Sequence, residues 1–145
     1  MKSYLAALLL STTAGAAMAT NIPSEVTHLA KAIQFPTISH QDHAQIDYRA
    51  FSDFHGFLRA TYPQVFSQLQ VDVIADYSLV ITWPGKNSEL KPVLFDSHYD
   101  VVPIEPGTEG EWTQPPFDGV ISDGYIWGRG AVDDKATVIA TLEAM

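Results

Sequence analysis

Two segments after residue 20 carry apolar residues at helical spacing. The first, "SEVTHLAKAIQF", has Ser24 in front as a candidate N-cap and is stopped by Pro36. Its apolar face carries Val26, Leu29, Ala30 and Ile33. The second segment predicts a helix from about Gln45 to Ala60, with Ile46, Phe51, Phe54 and Leu58 on one side. Each helix therefore has one apolar face to bury against the rest of the domain.

The period then changes to that of β-strands. Strand-like runs are predicted at Val71 to Ile74 and at Ser78 to Trp83. The apolar run from Pro92 to Phe95 predicts a strand that is covered on both faces. Further on, "VISDGYIWG" is typical of a hairpin with Asp123 and Gly124 at its turn.

The last segment, "DDKATVIATLEAM", predicts another helix. Val138, Leu142 and Met145 lie on one face of it, and the sequence alone indicates no partner for that face. Helices followed by strands and a further helix predict a three-layer α/β domain. Because the helix has no C-cap residue after it, we expect this domain to be incomplete at its C-terminus.

The composition and the N-terminal segment predict where the protein is located and which partners it does not bind. Residues 1–19 combine Lys2, a short apolar run and an Ala17-Met18-Ala19 ending, which is typical of a secretory signal peptide cleaved after Ala19 rather than of a stable membrane anchor. Residues 20–145 would then form the secreted or periplasmic protein. The formal net charge of −9 argues against nucleic-acid binding. With no cysteine in the chain, any metal must be held by histidine and carboxylates.

The stretch "LFDSHYDVVP" places three ionisable residues inside an apolar run. In a strand, His98 and Asp100 project from the same face, roughly 6.6 Å apart along the backbone. Such a carboxylate can hold one ring nitrogen of the histidine while the other nitrogen binds a metal. Asp96 lies on that face as well, without an assigned role.

A second acidic cluster follows a glycine-rich turn. The segment "GYIWGRGAVDDK" delivers Asp133 and Asp134 at a helix start, where the helix dipole favours ionised carboxylates. A dinucleotide site is disfavoured because the third glycine is missing, and Ser97 lacks the glycines of a nucleophile elbow. A calcium site built from aspartates stays open, although calcium has no use for His98. A dinuclear zinc site would use His98 and a bridging carboxylate such as Asp133.

Taken in order, "SHYDVVP", "WTQPPFDG" and "DGYIWGRGAVDDK" resemble the catalytic core of a family of dinuclear-zinc metallopeptidases. That family includes carboxypeptidase S, aminoacylase, acetylornithine deacetylase and succinyl-diaminopimelate desuccinylase, and the chain is most similar to the branch of carboxypeptidase S and the N-acyl-amino-acid hydrolases. The resemblance implies that His98 ligates zinc, that Asp100 orients His98 and that Asp133 bridges two Zn²⁺ ions. It also implies a cis peptide bond after Asp133.

The same resemblance implies an amidohydrolase that acts on a peptide or an N-acyl amino acid. The family's general-base glutamate, its other zinc ligands and its dimerisation domain normally follow the part that this chain matches. We therefore expect an N-terminal fragment that is inactive alone, with a homodimer possible only for the full-length protein. The alternative is a non-catalytic acidic calcium-binding domain or a degenerate remnant.

Overall fold

The computed structural model describes residues 22–145, so the predicted signal peptide at 1–19 lies outside the described residues. The helices are α1 (Ser24–Ile33), α2 (Tyr48–Thr61), α3 (Pro63–Gln68) and α4 (Lys135–Glu143). The strands are β1 (Gln70–Ile74), β2 (Ser78–Thr82), β3 (Val120–Ser122) and β4 (Tyr125–Trp127). This mixture of helices and strands agrees with the predicted α/β class. Within residues 22–145, no helix has the length and apolar character that crossing a membrane requires.

The two N-terminal helices form where the sequence predicts them, with shifted starts. Helix α1 begins at Ser24 itself, and Pro23 occupies the N-cap position. Helix α2 begins at Tyr48 rather than Gln45, because the Asp47 side chain accepts a hydrogen bond from the backbone N–H of Arg49 at 3.0 Å. Pro63 is the first residue of α3. It has no backbone N–H to donate, but an N–H at this position would have no partner within the helix.

Helices α1, α2 and α4 meet in one apolar core. Its buried members are Ala32, Phe54, Leu58, Tyr62, Val65, Val138, Ile139 and Leu142. The expectation that the Val138 and Leu142 face of α4 lacks partners is therefore wrong, because α4 packs against α1 and buries that face. Only Met145, at the end of the same face, remains exposed. A helical pattern shows which face is apolar but not which neighbour will cover it.

The strands form two separate antiparallel hairpins. Strands β1 and β2 pair from Gln70 opposite Thr82 to Ile74 opposite Ser78. Strands β3 and β4 confirm the predicted hairpin, and its turn residues Asp123 and Gly124 have φ angles of 54° and 80°. Positive φ at both central positions is the geometry that matches the twist of a tight hairpin.

The prediction of a covered strand at Pro92 to Phe95 is wrong in this structure. Val93, Leu94 and Phe95 are largely exposed, and the backbone first pairs at Val101, which forms a parallel bridge with Ile38. A strand covered on both faces needs neighbouring strands and a layer on each side. In the described part of the chain, each hairpin pairs only within itself, so neither hairpin provides a neighbouring strand for residues 92–95.

Lys135, the first residue of α4, is completely buried. Its ammonium donates hydrogen bonds to the carbonyl oxygens of Ala32 at 2.9 Å and Phe35 at 2.6 Å, and it lies 5.1 Å from the centre of the Phe54 ring. The two carbonyls are at and just after the C-terminus of α1, where a cation is favoured by the helix dipole. Even so, burial lowers the pKa of Lys135 to about 7.

Gly119, just before β3, packs directly on the backbone of α1. Its φ angle is +62°, and a Cβ atom there would lie 1.9 Å from the carbonyl oxygen of Ala30. Gly124 also has a positive φ, of +80°, but a Cβ atom there would have nothing within 4 Å. Substituting either glycine would strain the backbone, but only a side chain at Gly119 would also clash with α1. Comparing the two substitutions therefore isolates the effect of the clash on stability.

We expect Gly119→Ala to destabilise the protein more than Gly124→Ala. Both substitutions carry the penalty of a left-handed backbone, about 1–2 kcal/mol. Only Gly119→Ala adds the clash with α1, which should lower the free energy of unfolding by a further ~1–3 kcal/mol. Urea unfolding of both variants measures the difference, and equal losses would contradict the close contact.

We also expect the stability of the protein to rise between pH 7 and about pH 9.5 through Lys135. In this window the unfolded chain holds a proton that folded Lys135 has released, so the free energy of unfolding increases with pH, by up to about 1.4 kcal/mol per pH unit. Lys135→Met should remove this slope, whereas Lys86→Met, at an exposed lysine, should keep it. Urea unfolding across the window measures the slope, and identical slopes in the two variants would contradict the buried ammonium.

Candidate functional site

His98 and Asp100 lie side by side on the surface, as the strand spacing predicts. The Nδ1 atom of His98 is 3.2 Å from the Asp100 Oδ1 and 3.1 Å from the backbone carbonyl oxygen of Asp100. Both of these oxygens are acceptors, so Nδ1 carries the proton that it donates to them. The other ring nitrogen, Nε2, is thereby left to face outwards from the pair.

Asp133 meets that second nitrogen. Its Oδ1 atom is 2.9 Å from the Nε2 of His98, although 35 residues separate the two in the chain. The His98 side chain is 51% exposed and that of Asp133 is 88% exposed, so a metal ion or a substrate could approach both. The structure thus brings together His98, Asp100 and Asp133, the three site residues that are predicted from the sequence.

The side chains around His98 alternate between the interior and the solvent, which explains how ionisable residues fit into an apolar run. Tyr99 points inwards, where its hydroxyl is 2.8 Å from the Nε2 of His55, and Val101 is buried. Backbone hydrogen bonds of 2.9 Å join Val101 to the carbonyl of Thr37 and to the N–H of Ser39. Because the inward residues are held in this way, the outward ones, His98 and Asp100, are presented to solvent.

A glycine brings the loop that carries Asp133 against this segment. Gly130 has a φ angle of +81°, and a Cβ atom there would lie 2.6 Å from the Cγ1 of Val101. The carbonyl of Gly130 also accepts the backbone N–H of Lys135 at 3.1 Å. The Asp133–Asp134 peptide bond is cis, as the family resemblance implies.

The carboxylates around His98 change its affinity for a proton. Burial lowers the pKa of His98, but the hydrogen bonds to Asp100 and Asp133 and the charges of these two carboxylates outweigh burial and raise the pKa above its ordinary value of 6.5. A metal ion at Nε2 would have to displace a proton that Asp133 stabilises there. Metal binding at this site should therefore weaken as the pH falls.

In kind, the donors fit zinc. Imidazole nitrogen and carboxylate oxygen are both zinc ligands. A zinc-bound histidine commonly donates its other ring N–H to a carboxylate, as His98 does to Asp100. In number they fall short, because His98 and Asp133 supply two donors where zinc takes three or four from a protein. No cluster of three metal-binding side chains facing one point exists within residues 22–145.

The other acidic and histidine candidates lie outside this arrangement. Asp96 is exposed, and Asp134 accepts a hydrogen bond from the Thr137 hydroxyl within α4. His55, in α2, is buried beside Tyr99. Burial and the Tyr99 hydroxyl are tertiary contacts, so helical spacing alone could not have revealed them.

Known proteins contain segments similar to the part of the chain that carries this site. Residues 94–145 match the profile of "Peptidase family M20/M25/M40". The chain is 47% identical over 119 residues to "Probable carboxypeptidase S-like 2" of Dictyostelium discoideum, an alignment that covers 81% of this chain and 22% of that protein. It is 40% identical over 116 residues to an N-fatty-acyl-amino acid synthase/hydrolase of Mus musculus, covering 79% and 22%.

A third relative is carboxypeptidase S of Saccharomyces cerevisiae, which is 31% identical over 129 residues, covering 84% of this chain and 22% of that protein. The chain therefore spans about a fifth of the length of the curated relatives that it matches. The matched part contains His98, Asp100 and Asp133.

We expect Asp100→Asn to lower the pKa of His98. The substitution removes a negative charge beside Nδ1, and that charge stabilises the protonated ring. An NMR titration of the His98 ring protons measures the pKa, and Asp53→Asn, at an exposed position of α2, serves as the control. An unchanged His98 pKa in Asp100→Asn would show that the carboxylate does not hold the ring.

Proposed function

The chain is a relative of the hydrolases of peptidase family M20/M25/M40, and from this we propose that it supplies part of a zinc-dependent amidohydrolase. The substrate would be a peptide or an N-acyl amino acid, cleaved at its amide bond by a metal-activated water. One observation carries the proposal: Asp100 holds Nδ1 of His98, and Nε2 is aimed at Asp133. This is the arrangement in which a histidine is prepared to ligate a metal.

Each residue would have a separate task. His98 would ligate zinc through Nε2, Asp133 would bridge two Zn²⁺ ions, and Asp100 would keep the His98 ring in the right tautomer. Bound zinc would supply a Lewis acid for the amide carbonyl and a water that ionises near neutral pH. The exposed faces of His98 and Asp133 leave room for that chemistry on one side of the pair.

We propose that these 145 residues do not hydrolyse amides by themselves. Two donors are fewer than a catalytic zinc site needs, and residues 22–145 contain no cluster of three side chains that could hold a metal ion. In the proposal, the missing ligands, the base and any homodimer contacts belong to the remainder of a full-length protein. The predicted signal peptide would direct that protein to a secreted or periplasmic location.

The second candidate is an acidic calcium-binding domain. It would use carboxylate oxygens and would not need an imidazole. The 2.9 Å distance between the Nε2 of His98 and the Oδ1 of Asp133 favours zinc over calcium, since zinc takes both imidazole nitrogen and carboxylate oxygen whereas calcium takes oxygen. The two candidates differ in what happens when His98 is removed.

A chimera tests the proposal. Residues 20–145 replace the matching segment of the mouse N-fatty-acyl-amino acid synthase/hydrolase, and hydrolysis of an N-fatty-acyl amino acid is measured with the zinc content. We expect hydrolysis that a chelator abolishes and zinc restores. His98→Ala should reduce it by at least roughly a hundredfold, as the loss of a metal ligand does, whereas His43→Ala, at an exposed residue of a 3-10 turn, should not.

Two results would contradict the proposal. The first is a folded chimera, judged by its cooperative melting, that binds zinc and has no hydrolase activity. The second is a His98→Ala chimera that keeps its activity and its metal. Restoration by calcium instead of zinc would support the second candidate.

A further inference from the structure

A hydrogen bond between His55 and Tyr99 joins helix α2 to the segment that carries the site. The Nε2 atom of His55 is 2.8 Å from the Tyr99 hydroxyl, and 44 residues separate the two in the chain. His55 is 8% exposed, and a buried ring nitrogen needs a hydrogen-bond partner because water does not reach it. Tyr99 provides that partner from the residue directly after His98.

Both partners of this bond are uncharged near neutral pH. Burial lowers the pKa of His55 below its ordinary value of 6.5 and raises the pKa of Tyr99 to about 12. Neutral polar groups in an interior are held to each other, because either one would be costly to leave unpaired there. The bond therefore constrains the geometry of the segment without placing a further charge beside His98.

Tyr99 is held at three points. Its hydroxyl meets His55, and the centre of its ring lies 5.0 Å from that of Phe54 and 6.0 Å from that of Phe51. Its backbone carbonyl accepts a hydrogen bond from the hydroxyl of Thr37, a completely buried residue. Hydroxyl, ring and carbonyl each have a different neighbour, so a rotation of this residue would break contacts at several places.

The backbone on the two sides of His98 is supported unequally. On the C-terminal side, Val101 forms a parallel bridge with Ile38. On the N-terminal side, residues 91–98 form no backbone–backbone hydrogen bond with any other described residue. Because neighbouring side chains of an extended segment point to opposite faces, the direction of His98 depends on how Tyr99 is held.

We propose that His55 is a positioning residue for His98 and acts through the Tyr99 hydroxyl. The inference rests on the proposed function, because it assigns His55 to the orientation of a proposed zinc ligand. With Tyr99 bound to His55, the His98 ring stays in the rotamer in which its Nδ1 is 3.2 Å from Asp100. Without that bond, Tyr99 keeps only its apolar contacts and its carbonyl bond, and the His98 ring samples other rotamers. A histidine that is not held in one rotamer binds a metal more weakly, since ordering it becomes part of the cost of binding.

NMR on the 145-residue chain, without zinc, tests the proposal. Three-bond couplings across χ1 of His98 distinguish a single staggered rotamer from an average over several. We expect the unmodified chain to show the couplings of one rotamer. In Tyr99→Phe, which removes the hydroxyl and keeps the ring, the couplings should shift towards the average of the staggered rotamers. His55→Leu, which removes the other partner, should give the same shift.

Two further variants separate positioning from stability. His55→Gln offers an amide that can bond to the Tyr99 hydroxyl, so it should retain the couplings of one His98 rotamer. Tyr62→Phe is the matched control, because it also removes a hydroxyl with a 2.8 Å hydrogen bond, here to Glu143, at the opposite end of α4 from the site. It should lower the urea midpoint of unfolding and leave the His98 couplings unchanged.

Averaged couplings in the unmodified chain would overturn the proposal without any variant. A single His98 rotamer in folded Tyr99→Phe or in folded His55→Leu would also overturn it, and cooperative urea unfolding shows which variants are folded. Averaged couplings in Tyr62→Phe would overturn it too, because any loss of core stability would then free the ring. Since the measurement contains no zinc and no turnover, it does not depend on whether the chimera hydrolyses an acyl amino acid. Failure of the positioning role and failure of the hydrolase proposal are therefore distinguishable.

Discussion

The buried ammonium of Lys135 is the interaction on which the arrangement of this protein depends. It joins the first residue of α4 to the carbonyls of Ala32 and Phe35, at the end of α1. A polar group without hydrogen-bond partners would be costly at such a depth, so the two helix ends must stay together for Lys135 to be satisfied there. The residues just before Lys135, including Asp133, are placed by that constraint.

The other half of the site is placed by packing and not by charge. Val101 is buried under Gly130, and Tyr99 reaches His55 in the helical core. Since side chains of an extended segment alternate, burying these two residues turns His98 and Asp100 outwards. The glycine is essential to the meeting of the two segments, because any side chain at residue 130 would push the Asp133 loop away from Val101.

Chemically, the outcome is a histidine between two carboxylates, next to a cavity with an arginine. Asp100 lies beside one ring nitrogen of His98, Asp133 lies 2.9 Å from the other, and Arg129 lines the cavity that also contains Asp133. The chain spans about a fifth of the length of its relatives.

The amino-acid sequence by itself determined the amphipathic helices, the Asp123-Gly124 hairpin and the spacing of His98 and Asp100, because these depend on local periodicity and on residues with special backbone preferences. Linked motifs also indicated the family and the partnership with Asp133. Only the tertiary structure decided which neighbours cover α4 and that the run at residues 92–95 stays uncovered. The burial of Lys135 and of the Arg129 Nε atom could likewise not be read from the sequence, since both arise from contacts between segments that are distant along the chain.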